Sequence, residues 1–557
     1  MDTQRLILFA AFMLVSMSLW QSWQIQVNPH PVVVNTTNSN VNTDTPVMAD
    51  NSQPKSDLPS VPANSSIESS TPIVSKTMSS GKRISVKTNV FDIEIDSVGG
   101  DIRRVALLDY PVDVNTDPSP VVLMNDKSGL FYISQTGLLA SSKENNYAPD
   151  HNVHYQFDQL SYDIADKSEL NVPLRWVSED GLFTLIKTYT FQSDSYAIKV
   201  KHELINNSDL VWQGHLYRQL QRTSVEQASM FLQTYTGAMI SKEVDGFEKI
   251  DFPEMIDENL SRSNTGGWIS MIQHYFLSAW IPPQNSKETY YTRVSDRNSA
   301  DPHYIVGTIS AAQSIAAKSK AEFEDSLYIG PKLQLQIKDL APGLDNTVDY
   351  GFLSVIAHPI YWLLDQIQKV VNNWGWSIIF LTIIIKAFFY KLSETSYKSM
   401  AHMRKVTPKL KQIQEQHKEN PTEKNKAMME LYKKEKINPL GGCLPIVVQI
   451  PVFISLYWVL LESVEMRQAD FMLWLNNLSA PDPYYVLPLI MGASMLVQQR
   501  LNPAPMDPVQ AKVMMMLPII FTVFFAFFPS GLVLYWVVNN LLSISQQWYI
   551  TKKIENA

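Results

Sequence analysis

One apolar stretch constrains this chain more than any other: residues 374–392, reading WGWSIIFLTIIIKAFFYKL. A helix needs about 20 mostly apolar residues to cross the roughly 30 Å hydrocarbon core of a bilayer, and this run has that length. It also carries Lys386. An ammonium in hydrocarbon costs roughly 2.5–3.5 kcal/mol on insertion scales. Lys386 therefore reports water, a partner, or an exit of its long side chain to the near surface.

Further apolar runs lie at 443–461, 484–499, 513–528 and 532–549, the last two joined by Pro529-Ser530-Gly531. Another opens the chain, MDTQRLILFAAFMLVSMSLWQSW. Arg5 precedes it, Trp20 and Trp23 close it, and no small-x-small cleavage pattern follows. Residues 1–23 are therefore expected to be a retained anchor with a cytoplasmic N-terminus. Six spans would return the 550–557 tail to the cytoplasm, in keeping with Arg500, Lys552 and Lys553.

The remaining sequence has other textures. Residues 24–81 are rich in Asn, Thr, Ser and Pro and read as a flexible linker. Residues 82–345 alternate with period two in SVKTNVFDIEID, FTLIKTYTF, YAIKVKHELI and KLQLQIKDL, broken by Gly99-Gly100 and Gly266-Gly267. This predicts a large all-β sandwich domain. Residues 352–372 have apolar residues at helical spacing (Ile360, Leu363, Leu364, Ile367, Val370, Val371) with polar ones between, as in an amphipathic helix lying in the outer interface. Residues 393–438 are basic. From Lys391 to Lys436 there are twelve Lys or Arg against six Glu, which belongs on the cytoplasmic side. Asn420-Pro421-Thr422-Glu423 has a cap, a first-turn proline and an acid three residues after the cap, so the segment is expected to be a helical hairpin. Met403, Met428 and Met429 stand out on this polar segment, because flexible thioethers accept varied apolar partners.

Placed by depth, the polar residues of the spans fall in their inner halves. Lys386 and Gln449 lie roughly 9–10 Å from the inner surface. Thr382 is one turn from Lys386, Asn539 and Asn540 are near mid-span, and Gln498 and Gln499 close their run. The outer halves are apolar or aromatic. A pore needs polarity across its whole depth, and a secondary transporter places its site at the midplane between repeated halves; neither pattern is present. The reading is a wet pocket open to the cytoplasm, with a small-solute channel or transporter as the alternative.

Other classes have little footing. Net charge is -8, so nothing points to nucleic acid, and a single cysteine, Cys443, permits no internal disulfide. No phosphate-binding G-x-x-x-x-G-K-[ST] and no H-E-x-x-H occurs, and none of the ten histidines lies in an apolar run. No enzyme, cofactor or metal is expected.

INPLGGCLPIVVQIPVFISLYW, LSAPDPYYVLP and FFPSGLVLYWVVNNLLSISQQ resemble the YidC membrane protein insertase family, whose relatives include the mitochondrial and chloroplast Oxa-type insertases. The anchor plus β-domain resembles its Gram-negative form. The resemblance implies a polytopic α-helical inner-membrane protein with a five-helix core around a hydrophilic groove, and a large periplasmic β-supersandwich. It implies that nascent membrane proteins are inserted, alone or beside the Sec translocon. It places Lys386, Thr382, Gln449, Tyr535, Trp536 and Asn539 at groove or client-contact positions, and the hairpin methionines at client recruitment. Two departures accompany it. The family's groove cation is usually arginine, and the short tail TKKIENA argues against the ribosome contact made by relatives with long basic tails.

Overall fold

The computed structural model describes residues 58–59, 79–114, 116–127, 129–141, 147–224, 234–242, 246–295, 297, 301–417, 420–435, 444–502 and 508–555. The expected N-terminal anchor, most of the linker and Cys443 lie outside the described residues. The described residues form two compact units, divided between Val348 and Asp349.

The first unit is a large β-sandwich of an eleven-stranded and a nine-stranded sheet. Strand Ala197–Asn206 illustrates how alternation builds it. It pairs antiparallel with Phe183–Gln192 on one side and Ser319–Pro331 on the other. Ile198, Val200, His202 and Leu204 are buried on one face. On the other face Lys201 pairs with Glu322 at 2.7 Å and Glu203 with Lys320 at 2.7 Å, as expected of cross-strand neighbours. Trp212, Trp268 and Trp280 are fully buried. Polar groups are buried there as well, and two of the cations are held by several partners each. Arg218 bridges Glu288 at 2.8 Å and Asp325 at 2.7 Å. The Lys187 ammonium donates to the carbonyls of Gly99 at 2.7 Å and Thr136 at 2.9 Å. Gly99 and Gly100 take φ of +74° and +59°, a region that costs glycine nothing.

Two of the period-two stretches do not form single strands. SVKTNVFDIEID forms a hairpin, Arg83–Lys87 against Phe91–Asp96. The Thr88 hydroxyl closes its turn by accepting the N–H of Phe91 at 3.0 Å. KLQLQIKDL holds a short helix, Gln334–Lys338, because the strand ends at Pro331. Leu333 and Ile337 also satisfy i,i+4 spacing, and Ile337 is buried while Leu335 is exposed.

The second unit is helical: α1 (Ser354–Val371), α2 (Trp374–Phe388), α3 (Tyr390–Gln416), α4 (Pro421–Lys434), α5 (Leu444–Glu462), α6 (Val486–Leu501), α7 (Pro508–Phe525) and α8 (Ser530–Glu555). Helix α8 packs against α2, α3 and α6; α7 packs on α6, and α1 on α2 and α5. Among the described residues, no single helix is long and apolar enough to cross a membrane. Helices α2 and α3 meet the requirement of length and apolarity only together, bent by 67°. This corrects the reading of 374–392 as one straight helix. The chain turns at Phe389, where the rings of Phe388 and Phe389 meet edge-on at 5.0 Å.

Local chemistry sets the helix ends. Asn373 caps α2 by accepting the N–H of Trp376 at 3.0 Å, and Asn420 caps α4 by accepting those of Thr422 and Glu423. The loop between α5 and α6 is laced by Asp482. Its carboxylate accepts the backbone N–H of Tyr484 at 3.0 Å and of Leu487 at 2.7 Å, and the Trp474 indole N–H at 2.9 Å. Backbone bonds from Ser530 to Ala480 and from Gly531 to Leu478 tie that loop to the start of α8.

Candidate functional site

The helices enclose a cavity of about 390 Å³. Helix α2 contributes Lys386; α5 contributes Gln449, Ile450 and Phe453; α6 contributes Met495, Gln498 and Gln499; α7 contributes Met514, Leu517 and Pro518. Helix α8 lines it lengthwise with Tyr535, Trp536, Asn539, Asn540 and Ser543. Its last wall is the first turns of α3: Ser393, Ser396, Tyr397 and Met400.

Polarity is graded along α8. At one end Phe453 lies 6.0 Å from Tyr535 and 4.6 Å from Trp536, and Phe525 covers Trp536 from behind at 5.1 Å. Past Asn539 and Asn540 the wall becomes polar. Asn540 donates to the Ser494 hydroxyl at 3.1 Å, tying α8 to α6. One turn further, Ser543 accepts a hydrogen bond from the Lys386 ammonium at 2.8 Å.

Lys386 is 8% exposed, so its side chain does not run to the surface. Neither Asp nor Glu lines the cavity, and among the described residues no carboxylate pairs with Lys386 within 4 Å. An ammonium has three donors. One goes to Ser543, and among the described residues the cation has no carboxylate counterion.

Two prolines shape the walls. Pro451 in α5 and Pro518 in α7 each break the helical hydrogen-bond ladder. Four residues on, the hydroxyls of Ser455 and Thr522 donate to the proline carbonyls at 2.8 and 2.7 Å.

Of the residues singled out from sequence, Lys386, Gln449, Tyr535, Trp536 and Asn539 line this cavity. Thr382 does not. It is buried, and its hydroxyl donates to the Ile378 carbonyl of its own helix at 2.6 Å. The α3 wall escaped the sequence reading, which assigned 393–438 wholly to the hairpin. Its signal was present: positions 393, 396, 397 and 400 form one helical stripe. In the hairpin, Met403 and Met428 pack against its small core of Val406, Leu410 and Tyr432. Met429 is 53% exposed.

Comparisons with known proteins cover the whole chain. A family model described as "YidC periplasmic domain" matches residues 83–363, and one described as "60Kd inner membrane protein" matches 366–557. The "Membrane protein insertase YidC" of Methylococcus capsulatus is 48% identical over 559 residues, covering 100% of this chain and 99% of the relative. Its counterpart in Thioalkalivibrio sulfidiphilus is 48% identical with the same coverage. That of Pseudomonas fluorescens is 46% identical over 567 residues, covering 100% of this chain and 99% of the relative.

Proposed function

The chain belongs to the YidC family of membrane protein insertases, and we propose that its cavity is the place where a client's polar flank enters the membrane. The family function is non-enzymatic and resides in the inner membrane, with a periplasmic domain. The proposed arrangement is six spans with both termini cytoplasmic. Helices α2, α5, α6, α7 and α8 surround the cavity, and its polar end opens to cytoplasm and lipid.

The observation that carries this reading is Lys386, a cation with no carboxylate partner among the described residues, beneath an aromatic roof. A client must move polar residues and unpaired backbone through hydrocarbon, where each unsatisfied group costs several kcal/mol. A hydrated cavity takes the flank partway in water and shortens the apolar distance that remains. Lys386 attracts acidic flank residues, and Gln449 and Asn539 replace part of their water. Tyr535 and Trp536 offer the client an aromatic surface that tolerates many sequences. Burial of the client's apolar stretch in lipid then drives the step without nucleotide. Lysine carries the positive charge without the planar five-donor fork of an arginine, so its role here requires a hydrated cavity.

The hairpin α3–α4, with Met429 outward, is the proposed recruiting arm, and a Sec translocon the proposed companion for larger clients. The test is reconstitution. A small single-span client should become protease-protected in vesicles containing this protein, without nucleotide, and stay accessible with empty vesicles. Equal protection in both would overturn the reading.

A further inference from the structure

Among the described residues Ser543 is the one side chain that hydrogen-bonds Lys386, and its own chemistry is fixed by its helix. Its hydroxyl proton goes to the Asn539 carbonyl, four residues back, at 2.7 Å. This is the usual bond of a serine inside a helix. The hydroxyl oxygen then accepts from the Lys386 ammonium, and the Tyr397 hydroxyl lies beside it as a further hydrogen-bonding neighbour. Ser543 is 3% exposed, so water competes weakly for that oxygen. A lysine lacking this partner has four rotatable carbons with which to reach the polar end of the helix bundle.

We propose that Ser543 is a positioning residue: it holds the Lys386 ammonium inside the cavity, where the charge selects acidic client flanks. Three consequences of the geometry support this. With its proton committed to Asn539, Ser543 has none to offer an incoming carboxylate, so its part is played through Lys386. With one ammonium donor on Ser543, two remain for the client. And the bond joins α2 to α8 at the layer where the cavity wall changes from aromatic to polar, which sets the depth of the charge. Lys386 thus has an acceptor within the cavity wall. This inference rests on the insertion reading above and adds the residue that places its charge.

The test is a double-mutant cycle in reconstituted vesicles with the full chain. Two model clients are used, identical except for an acidic or a neutral flank, and the readout is the ratio of their insertion. Ser543→Ala should lower that ratio about fivefold, the scale of one hydrogen bond to a charged group partly replaced by water. Ser543→Thr, which keeps the hydroxyl, should restore it. In a Lys386→Met background Ser543→Ala should change the ratio no further, because the two act as one unit; a purely structural serine would add its loss. A normal ratio for Ser543→Ala beside a lowered one for Lys386→Met overturns the positioning role and leaves the insertion reading standing. A normal ratio for Lys386→Met overturns the charge role itself. Loss of both clients in Ser543→Ala that threonine fails to restore also counts against positioning.

Discussion

Gly375, in the first turn of α2, faces the ring of Phe471 so closely that a β-carbon there would stand 2.0 Å from Cδ2. Phe471 belongs to the loop between α5 and α6. Asn373 holds that loop by donating to the carbonyls of Asp470 and Phe471 at 3.2 and 3.1 Å, and Trp376 meets the same ring at 5.7 Å. The loop is thus keyed into the end of α2 opposite Lys386.

Gly375→Ala should therefore destabilise the helical unit by about 1–3 kcal/mol, as overpacking of a close contact does. Thermal unfolding in detergent reads this directly. Adding Phe471→Ala should recover part of the loss, since the two changes share one contact. Full additivity of the two losses would count against the contact.

The hairpin methionines separate into two kinds. Met429→Asp should leave the hairpin folded and weaken crosslinking to nascent clients. Met403→Asp and Met428→Asp should unfold the hairpin, because each puts a charge against Val406, Leu410 and Tyr432. An unpaired charge in an apolar contact costs several kcal/mol. Limited proteolysis between α3 and α4 distinguishes them: faster cleavage for Met403→Asp and Met428→Asp, unchanged cleavage for Met429→Asp.

The sandwich carries a pH signature in Lys187. Burial pushes its ammonium down to about 8, against the opposing pull of Asp101. Between about pH 8 and the ordinary lysine value of 10.5, the unfolded chain binds the proton that the folded chain has lost. Stability therefore rises with pH across that window. Wild type should gain about 2 kcal/mol relative to Lys187→Met between pH 7.5 and 9.5. Calorimetry of the β-domain transition at the two pH values measures the difference. A constant gap would show that Lys187 keeps its ordinary affinity for protons.

Legibility followed the length scale of each interaction. The β-sandwich was readable because alternation such as Ile198, Val200, His202 and Leu204 is local and repeated. The cap at Asn420 was readable because its partners, Thr422 and Glu423, are adjacent. Where one pattern serves two periods, as in KLQLQIKDL, the deciding fact was Pro331 ending the strand. The bend at Phe389 involves neither proline nor glycine, so the stripe of Ser393, Ser396, Tyr397 and Met400 could be read as one helix face but not as a wall of the cavity. The polarity of Lys386, Gln449 and Asn539 was visible along the chain. That Lys386 meets Ser543, 157 residues away, was not, because only packing of α2 on α8 brings them together. Thr382 shows the converse: one turn from Lys386 in sequence, it spends its hydroxyl on Ile378.

The proposed cavity is wetted from one side only. It is tested most directly by cysteine accessibility in a Cys443→Ser background, which removes the single native thiol. Gln449→Cys and Ser396→Cys would be probed in membrane vesicles of both orientations with a membrane-impermeant maleimide. Ile520→Cys, on the exposed apolar surface of α7, serves as the lipid-facing control. A one-sided cavity gives labelling of 449 and 396 from the cytoplasmic face, protection of both from the opposite face, and no labelling of 520 from either. Equal labelling of 449 and 396 from both faces, or from neither, would contradict it.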